Sequence, residues 1–185
     1  MPKPPGQTVF ELKVTLGDVE PSVSRRLLVP GSIRLGKLHD ILQVAMGWTN
    51  SHLHSFEIGA ERYGPQYDDY PEGEIDEAEV TVLDAIGAHE TFVYEYDFGD
   101  SWDHLVVVER VSRSSQGLKH AVCQGGQNAC PPEDCGGSGG YRHLLDALGD
   151  ATNPEHRDLL EWVGGPFDPK HFDVAAVNVA LQRLR

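Results

Sequence analysis

The sequence is poor in basic residues, and this shortage limits what the protein can bind. It has 15 lysines and arginines against 29 aspartates and glutamates, which gives a formal net charge of −14. Such a field repels the phosphates of nucleic acid, and Arg25-Arg26 is the only adjacent basic pair in the sequence. We therefore expect no direct binding to nucleic acid. The acidic charge fits simple solubility, and it also fits an acidic surface for a protein partner or a mimic of nucleic acid.

Long apolar runs are also missing. The longest aliphatic run, LVVV at residues 105–108, is far too short to span a bilayer, and the start, MPKPPGQTVF, lacks the apolar segment of a signal peptide. We expect a soluble, cytoplasmic protein that does not associate with a membrane. In that reducing compartment, an odd count of three cysteines predicts thiols or metal ligands rather than disulfides.

Two widespread catalytic motifs are absent as well. The chain has neither the G-x-x-x-x-G-K-[ST] loop of nucleotide-binding proteins nor the H-E-x-x-H helix of metalloproteases. The Gly-rich segment at 123–140, CQGGQNACPPEDCGGSGG, does not follow the strand-to-helix pattern of a phosphate-binding loop. These motifs therefore assign no reaction to the protein.

The patterns that are present predict the secondary structure. Alternating apolar and polar residues predict five strands, at 9–16, 22–29, 51–58, 91–98 and 102–111. Leucines at helical spacing predict a helix over 34–46, capped by Ser32 and ended by Gly47. The segment 68–79 holds seven carboxylates and no base, which predicts a solvated loop. The segment 123–140 is too rich in Gly and Pro for regular structure.

The order of these elements predicts an α+β fold. We expect a mixed β-sheet with one packed helix, in a layout similar to a β-grasp, followed by a C-terminal helical segment whose last helix is capped by Asp173. The whole chain, 1–185, should form a single domain. Its sheet part would lie at about 8–115, its Cys/Gly/Pro loop at 123–140 and its helical part at 141–185.

The hairpin predicted at 91–111 carries an unusual number of ionisable groups. A two-residue turn would place Glu95 opposite His104, and a carboxylate in that position orients an imidazole for acid–base work or for metal binding. A three-residue turn would instead rotate His104 to the aromatic face of the hairpin. The same residues also fit an ordinary cross-strand ion pair beside turn carboxylates that bond the backbone. The candidate site residues of this hairpin are Glu95, Asp97, Asp100, Trp102 and His104.

Two further segments offer metal ligands. His52 and His54 would point to the same face of a strand, about 6.5–7 Å apart at Cα, although beside Trp48 they also fit simple aromatic packing. The cysteine spacing C-x6-C-x4-C is not that of a zinc ribbon, but a Pro-stiffened loop at 130–135 can present ligands or cover the sheet edge. The candidates for zinc or another divalent metal are His52, His54, His104 and Cys135, with Glu133 and Asp134 beside them.

Four ordered blocks of the sequence resemble the plasmid pRiA4b ORF-3-like family. They are GWTNSHLHSFEI, YEYDFGDSWDHLVVVE, ACPPEDCGGSGGY and FDPKHFDVAAVN. The resemblance runs from about residue 8 to 182 and departs at Ser24, where tryptophan is more typical. It implies a bacterial or archaeal protein linked to plasmids and insertion elements, with a protein partner or an attached regulatory domain, and it brings no known activity. The polar positions that the family shares fall here on His52, His54, Asp97, Asp100, His104, Glu133, Asp134 and Cys135.

Because these positions lie in three separate blocks, the resemblance implies that they converge in space. Two functions follow from it and from the residues. The first is a binding or regulatory module associated with plasmids or insertion elements, which the lack of a catalytic signature favours. The second is a metal-dependent, hydrolase-like enzyme that uses a His/Asp/Cys cluster.

Overall fold

The structure, a computed structural model, describes residues 6–66 and 74–184. Within these ranges the chain forms eight strands and five helices. In chain order they are β1 Gln7–Leu16, β2 Ser24–Pro30, α1 Leu35–Met46, β3 His54–Ile58, β4 Glu61–Gly64, β5 Ile75–Asp76, α2 Val82–Ile86, β6 Thr91–Tyr96, β7 Trp102–Ser114, β8 Val122–Gln127, α3 Gly137–Gly149, α4 His156–Trp162 and α5 Val174–Leu181. None of the helices in these ranges has both the length and the apolar character needed to cross a bilayer.

All the strands belong to one mixed sheet with the order β5-β4-β3-β6-β7-β1-β2-β8. Its neighbouring strands are antiparallel except for β4 and β5, which run parallel. The five predicted strands are all members, and β6 and β7 form the predicted hairpin. The α+β class expected from the order of elements is thereby confirmed.

One face of the sheet is buried and the other is open to solvent, because successive side chains of a strand point to opposite faces. On β1, Leu12 and Val14 are buried, whereas Lys13 between them is exposed. Helix α1 lies against the buried face, where the ring of His39 contacts the hydroxyl of Tyr94 on β6. The candidate site residues are distributed over the covered face, the sheet rim and, for Glu95, the open face.

The predicted helix is confirmed at its end but not at its start. Gly47 ends it in the left-handed region, with a φ of 98°. The predicted cap, Ser32, is wrong, since Arg34 is the N-cap residue and makes no side-chain cap hydrogen bond. The first helical N–H, that of Leu35, instead donates to the carbonyl of Val80 at 3.1 Å. A neighbouring segment of the chain thus satisfies the donor that a cap would satisfy.

Two segments predicted to be irregular contain ordered and buried parts. Strand β8, Val122–Gln127, overlaps the start of the segment 123–140, and α3 begins within it at Gly137. Gly126 of β8 has no room for a Cβ, which would come within 2.6 Å of the Ser24 carbonyl oxygen. Of the acidic segment, residues 67–73 lie outside the described ranges. Glu77 is buried rather than solvated, because its carboxylate contacts an imidazole of β3. Propensity alone missed both features, since tertiary contacts override it.

Helix α5 closes the sheet at the β8 edge. Asp173 caps this helix as predicted, because its carboxylate accepts from the N–H groups of Ala175 and Ala176. The side chain of Asn178 pairs with the backbone of Cys123: its oxygen accepts from the N–H at 2.9 Å and its nitrogen donates to the carbonyl at 2.8 Å. The C-terminal helical segment is therefore fixed to the sheet by an edge contact.

Candidate metal centre

The turn of the β6–β7 hairpin is longer than predicted, and this changes which residues face each other. The N–H of Ser101 donates to the carbonyl of Asp97 at 2.6 Å and closes a turn of five residues rather than two. In the resulting register His104 lies opposite Tyr94, not opposite Glu95. The predicted Glu95–His104 pair is therefore wrong, since a one-residue change of register turns a side chain to the other face.

His104 belongs to the interior as a consequence. Its side chain is completely buried, its Nδ1 lies 3.1 Å from the carbonyl oxygen of Tyr94, and its ring meets that of Trp48 edge-on. Burial lowers the pKa of His104 to about 4, so the imidazole is neutral at physiological pH. Trp102, two residues earlier on the same face, is buried as well. The core thus contains two of the predicted site residues.

A different cluster forms at the rim of the sheet, where His52 meets two aspartates. The Nε2 atom of His52 lies 3.1 Å from Oδ1 of Asp134 and 3.6 Å from Oδ2 of Asp97. One ligand atom from each residue lies within 4.8 Å of the other two. Although the contacts are short, Nε2 is not aligned for a hydrogen bond to any described group. Two carboxylates and one imidazole nitrogen therefore converge on a common point.

The hairpin turn orients Asp97 toward this point. Its backbone is left-handed, with a φ of 57°, and its N–H donates to the carbonyl of Leu53 at 2.8 Å. Its Oδ1 accepts from the N–H of Gly99 at 3.0 Å, which leaves Oδ2 directed at His52. The carboxylate is nearly buried, at 8% residue exposure. A buried carboxylate is costly unless a cation or hydrogen bonds compensate it.

The loop before α3 brings Asp134 to the same point. Its neighbour Glu133 accepts hydrogen bonds from the hydroxyl of Tyr96 at 2.5 Å and from the hydroxyl of Thr49. Burial acts to raise the pKa of Glu133, but these hydrogen bonds outweigh it and lower that pKa below its usual value. On the other side of the loop, Asp100 accepts from the N–H of Gly136 at 3.1 Å. The loop is thus anchored on both sides of Asp134, which is itself 70% exposed at its side chain.

His52 also lines a polar cleft of about 410 Å³. The floor of this cleft holds two imidazoles, His39 and His54, stacked with ring centroids 3.4 Å apart and planes 5° apart. The Nε2 atom of His54 lies 2.8 Å from a carboxylate oxygen of Glu77. Burial, and then the neighbouring His54, lower the pKa of His39 to about 3. The stacked rings therefore do not both carry a charge at neutral pH.

Asp134 also lines a second groove, of about 200 Å³. The other lining residues are the apolar Leu144, Leu159 and Trp162, together with Cys135, Gly140 and His143. Trp162 is 49% exposed, an unusual state for so large an apolar side chain. The cluster therefore contributes one residue, His52, to a mostly polar cleft and another, Asp134, to a mostly apolar groove.

The predicted metal ligands are thus dispersed. Among the described residues, His52 alone of the four belongs to the cluster, while His54 lies in the polar cleft and His104 in the core. The thiol of Cys135 lies 4.0 Å from the carbonyl oxygen of Gly137, and burial raises its pKa to about 12. A thiol with that pKa is protonated at neutral pH, and a metal would have to displace the proton.

The predicted carboxylates have three different positions. Asp97 and Asp134 contribute ligand atoms, whereas Asp100 and Glu133 hold the loop that carries Asp134. Glu95 lies on the open face of the sheet, 3.5 Å from Arg62. The predicted approach of the 130–135 loop to the hairpin therefore agrees with the structure, while the role of the loop as a metal site stays a prediction.

Sequence reasoning missed two residues of the polar cleft, His39 and Glu77. His39 lies four residues from both Leu35 and Gln43, on the helix face that packs inward, so helical spacing could have indicated its burial. Glu77 stands among other carboxylates in an acidic run, and no local pattern distinguishes it.

Comparison with known proteins agrees with the resemblance of the four blocks. The model of the family described as "Plasmid pRiA4b ORF-3-like protein" matches residues 8–176. An uncharacterised protein of Sinorhizobium fredii, y4hQ, is 42% identical over 174 residues, which cover 92% of this chain and 87% of the relative. The crystal structure of MM3350 from Methanosarcina mazei, a protein of unknown function, has a TM-score of 0.84 at 30% identity and covers 92% of this chain and 97% of its own. The chain therefore belongs to the plasmid pRiA4b ORF-3-like family.

Proposed function

We propose that His52, Asp97 and Asp134 bind a divalent transition metal, with zinc as the best fit, and that the protein is a metal-dependent enzyme of hydrolase type. The observation that carries the proposal is the spacing of the ligand atoms. Two ligands on a tetrahedral zinc at about 2.0–2.1 Å lie about 3.3 Å from each other. The two His52–carboxylate distances, 3.1 and 3.6 Å, are close to this value on either side. An imidazole with two carboxylates also suits zinc better than it suits magnesium or calcium.

The number of ligands favours a catalytic site over a structural one. Structural zinc sites are usually closed by four protein ligands, whereas catalytic sites use three and keep one position for water or substrate. Here three protein ligands come together beside a cleft, and the third, Asp134, is largely exposed. A metal in such a position activates water for attack on a polarised bond. Hydrolysis of a small molecule is therefore the reaction that the arrangement supports best.

This proposal takes precedence over a binding or regulatory module for a mobile element. The module rests on the family resemblance and on the acidic charge, and neither of them identifies a partner. The cluster is a specific arrangement of three ligand atoms beside a cleft. A cytoplasmic protein that contacts another protein or an attached domain becomes the better proposal if the chain binds no metal.

The test is a zinc titration of the purified, chelator-treated chain by calorimetry, with metal content measured after dialysis. We expect one zinc ion per chain, and His52→Ala should abolish this binding because it removes the nitrogen ligand. His171→Ala is the matched control, since His171 is exposed and lies outside the cluster. Stoichiometric binding that survives in His52→Ala, or no binding of zinc or manganese by the wild type, would refute the proposed site.

A further inference from the structure

The apolar groove beside Asp134 suggests what kind of molecule the metal centre receives. This inference rests on the proposed function, because it concerns the molecule that a metal bound by Asp134 would receive. The two cavities meet at the cluster: His52 lines the polar cleft, Asp134 lines the apolar groove, and these two side chains lie 3.1 Å apart. A molecule bound to a metal at this point would have access to both.

The groove has the size and lining of a pocket for one ring. Its volume is about 200 Å³, and a cavity of about 150 Å³ lined by Leu, Ile and Phe is known to hold benzene in another protein. Leu144 is buried in the groove wall, while Trp162 leaves about half of its surface exposed. An aromatic side chain half exposed over an apolar wall is a typical site for stacking with an aromatic group.

The polar cleft lined by His52 favours a different kind of chemical group. The residues that line it are mostly hydrogen-bonding groups, including the carboxylates of Asp40 and Glu77, and no lysine or arginine is among those that the structure describes. A phosphate or carboxylate end would therefore meet like charge there. An uncharged or cationic polar end fits the cleft better.

From these contacts we propose that the ligand of the metal centre is a small amphipathic molecule. Its aromatic or branched aliphatic group occupies the Leu144–Leu159–Trp162 groove, and its uncharged or cationic polar end lies in the cleft of His39 and Glu77. The metal-binding group lies between the two ends, at His52 and Asp134. An aryl or branched-chain amide or ester has this arrangement, with the bond to be hydrolysed next to the apolar group.

Two hydroxamates that differ in one substituent test the groove. Acetohydroxamate and benzohydroxamate carry the same metal-binding group, but only the second has a ring for the groove. On the zinc-loaded wild type we expect benzohydroxamate to bind about 10-fold more tightly, because its ring is buried. In Trp162→Ala the ratio of the two dissociation constants should fall to about 1–2, while the zinc affinity stays unchanged. In Trp162→Phe most of the roughly 10-fold preference for benzohydroxamate should return.

Val179→Ala is the matched control, because Val179 is a similarly exposed apolar residue on α5 that lines neither cavity. Equal binding of the two hydroxamates to the zinc-loaded chain, or a ratio that survives in Trp162→Ala, would overturn the groove assignment and leave the metal centre intact. If neither hydroxamate binds at millimolar concentration, the zinc has no open position, and both the groove assignment and the catalytic role are overturned. Failure of zinc itself to bind would instead overturn the proposed function, so the two failures are distinguishable.

Discussion

Histidines occur in two regions of this molecule that lie close together and differ in almost every physical respect. In the interior, His39 and His104 have lowered pKa values, and their ring nitrogens contact Tyr94, which also accepts a hydrogen bond from Gln43 at 3.0 Å. At the rim, the imidazole of His52 faces the carboxylates of Asp97 and Asp134. Burial keeps the interior rings neutral at physiological pH, whereas the rim histidine lies beside two acidic side chains. The residue type is the same, and only its position relative to the sheet separates the two roles.

Replacing His104 should have the largest effect, and it tests whether an interior histidine matters for stability but not for zinc binding. We expect His104→Ala to lower the free energy of unfolding by about 3 kcal/mol, because the substitution leaves a cavity in a fully buried site. Zinc affinity should change by less than about twofold, since His104 is not a ligand. Urea denaturation and zinc calorimetry of the same variant measure both quantities. A stable variant that has lost zinc would reverse the roles of the two regions.

The second expectation concerns the rim. Asp134→Asn should weaken zinc binding about 100-fold, or about 2.7 kcal/mol, because it removes a charged ligand. In the zinc-free protein the same change should leave the free energy of unfolding equal or raise it slightly, since it relieves repulsion between two carboxylates. Denaturation with and without zinc, beside the exposed control Asp168→Asn, checks the difference. A loss of stability in the zinc-free variant would mean that the cluster is structural.

The pH dependence of the free energy of unfolding tests the lowered pKa values of the two interior histidines, His39 and His104. The folded pKa values of His39, about 3, and His104, about 4, lie below the unfolded value of about 6.5. The unfolded chain therefore binds more protons below pH 6.5, and stability is complete above that pH and lost as the pH falls. Each histidine should contribute a loss on the order of 2 kcal/mol between pH 6.5 and 5.

The variant His39→Gln isolates the part of this stability loss that comes from His39. Carboxylates that titrate in the same pH range are present in the wild type and in the variant alike, so their contribution cancels in the comparison. Urea denaturation of the zinc-free proteins at several pH values should show a smaller loss of stability in the variant, by on the order of 2 kcal/mol between pH 6.5 and 5. Identical slopes for the two proteins would show that His39 titrates normally and is not an interior histidine of the kind described.

The smallest expected effect lies on the boundary of the two regions. The carboxylate of Glu133 accepts hydrogen bonds from the hydroxyls of Tyr96 and Thr49, and these bonds hold the loop that carries Asp134. Glu133→Gln should weaken zinc binding about 10-fold, because groups that orient metal ligands have effects of this size. Zinc calorimetry measures the change, with Glu155→Gln, exposed on the helical segment, as the control. Unchanged affinity would mean that Asp134 holds its position without Glu133.

Much of the fold could be predicted from the sequence, because the relevant signals are local. Alternation of apolar residues located the five main strands, and helical spacing with Gly47 located α1. Strand β8 could not be predicted, since its glycines are poor strand formers and it exists through pairing with β2. Nor could the cap of α1, because its first donor is satisfied by Val80, a residue far away in the chain.

The site was predicted in part for a related reason. Of the candidate site residues, His52, Asp97 and Asp134 do lie together at the rim, while their role as metal ligands stays a prediction. The predicted face of His104 was wrong because the face of a strand residue depends on the length of the turn. The left-handed conformations of Asp97 and Ser101, which lengthen this turn, are not specified by an obvious turn motif. A sequence motif can indicate which segments hold candidate site residues. The register of the paired strands then decides which of those side chains point toward the site.

The amide of Asn178 has a consequence for how copies of this protein behave toward one another. Strand β8 is an outer strand of the sheet, and an outer strand with free backbone groups is a template for pairing with a second chain. The Asn178 side chain occupies both the N–H and the carbonyl of Cys123, as a further strand would. Helix α5 therefore protects the sheet against edge-to-edge aggregation, with one side-chain amide in place of a strand.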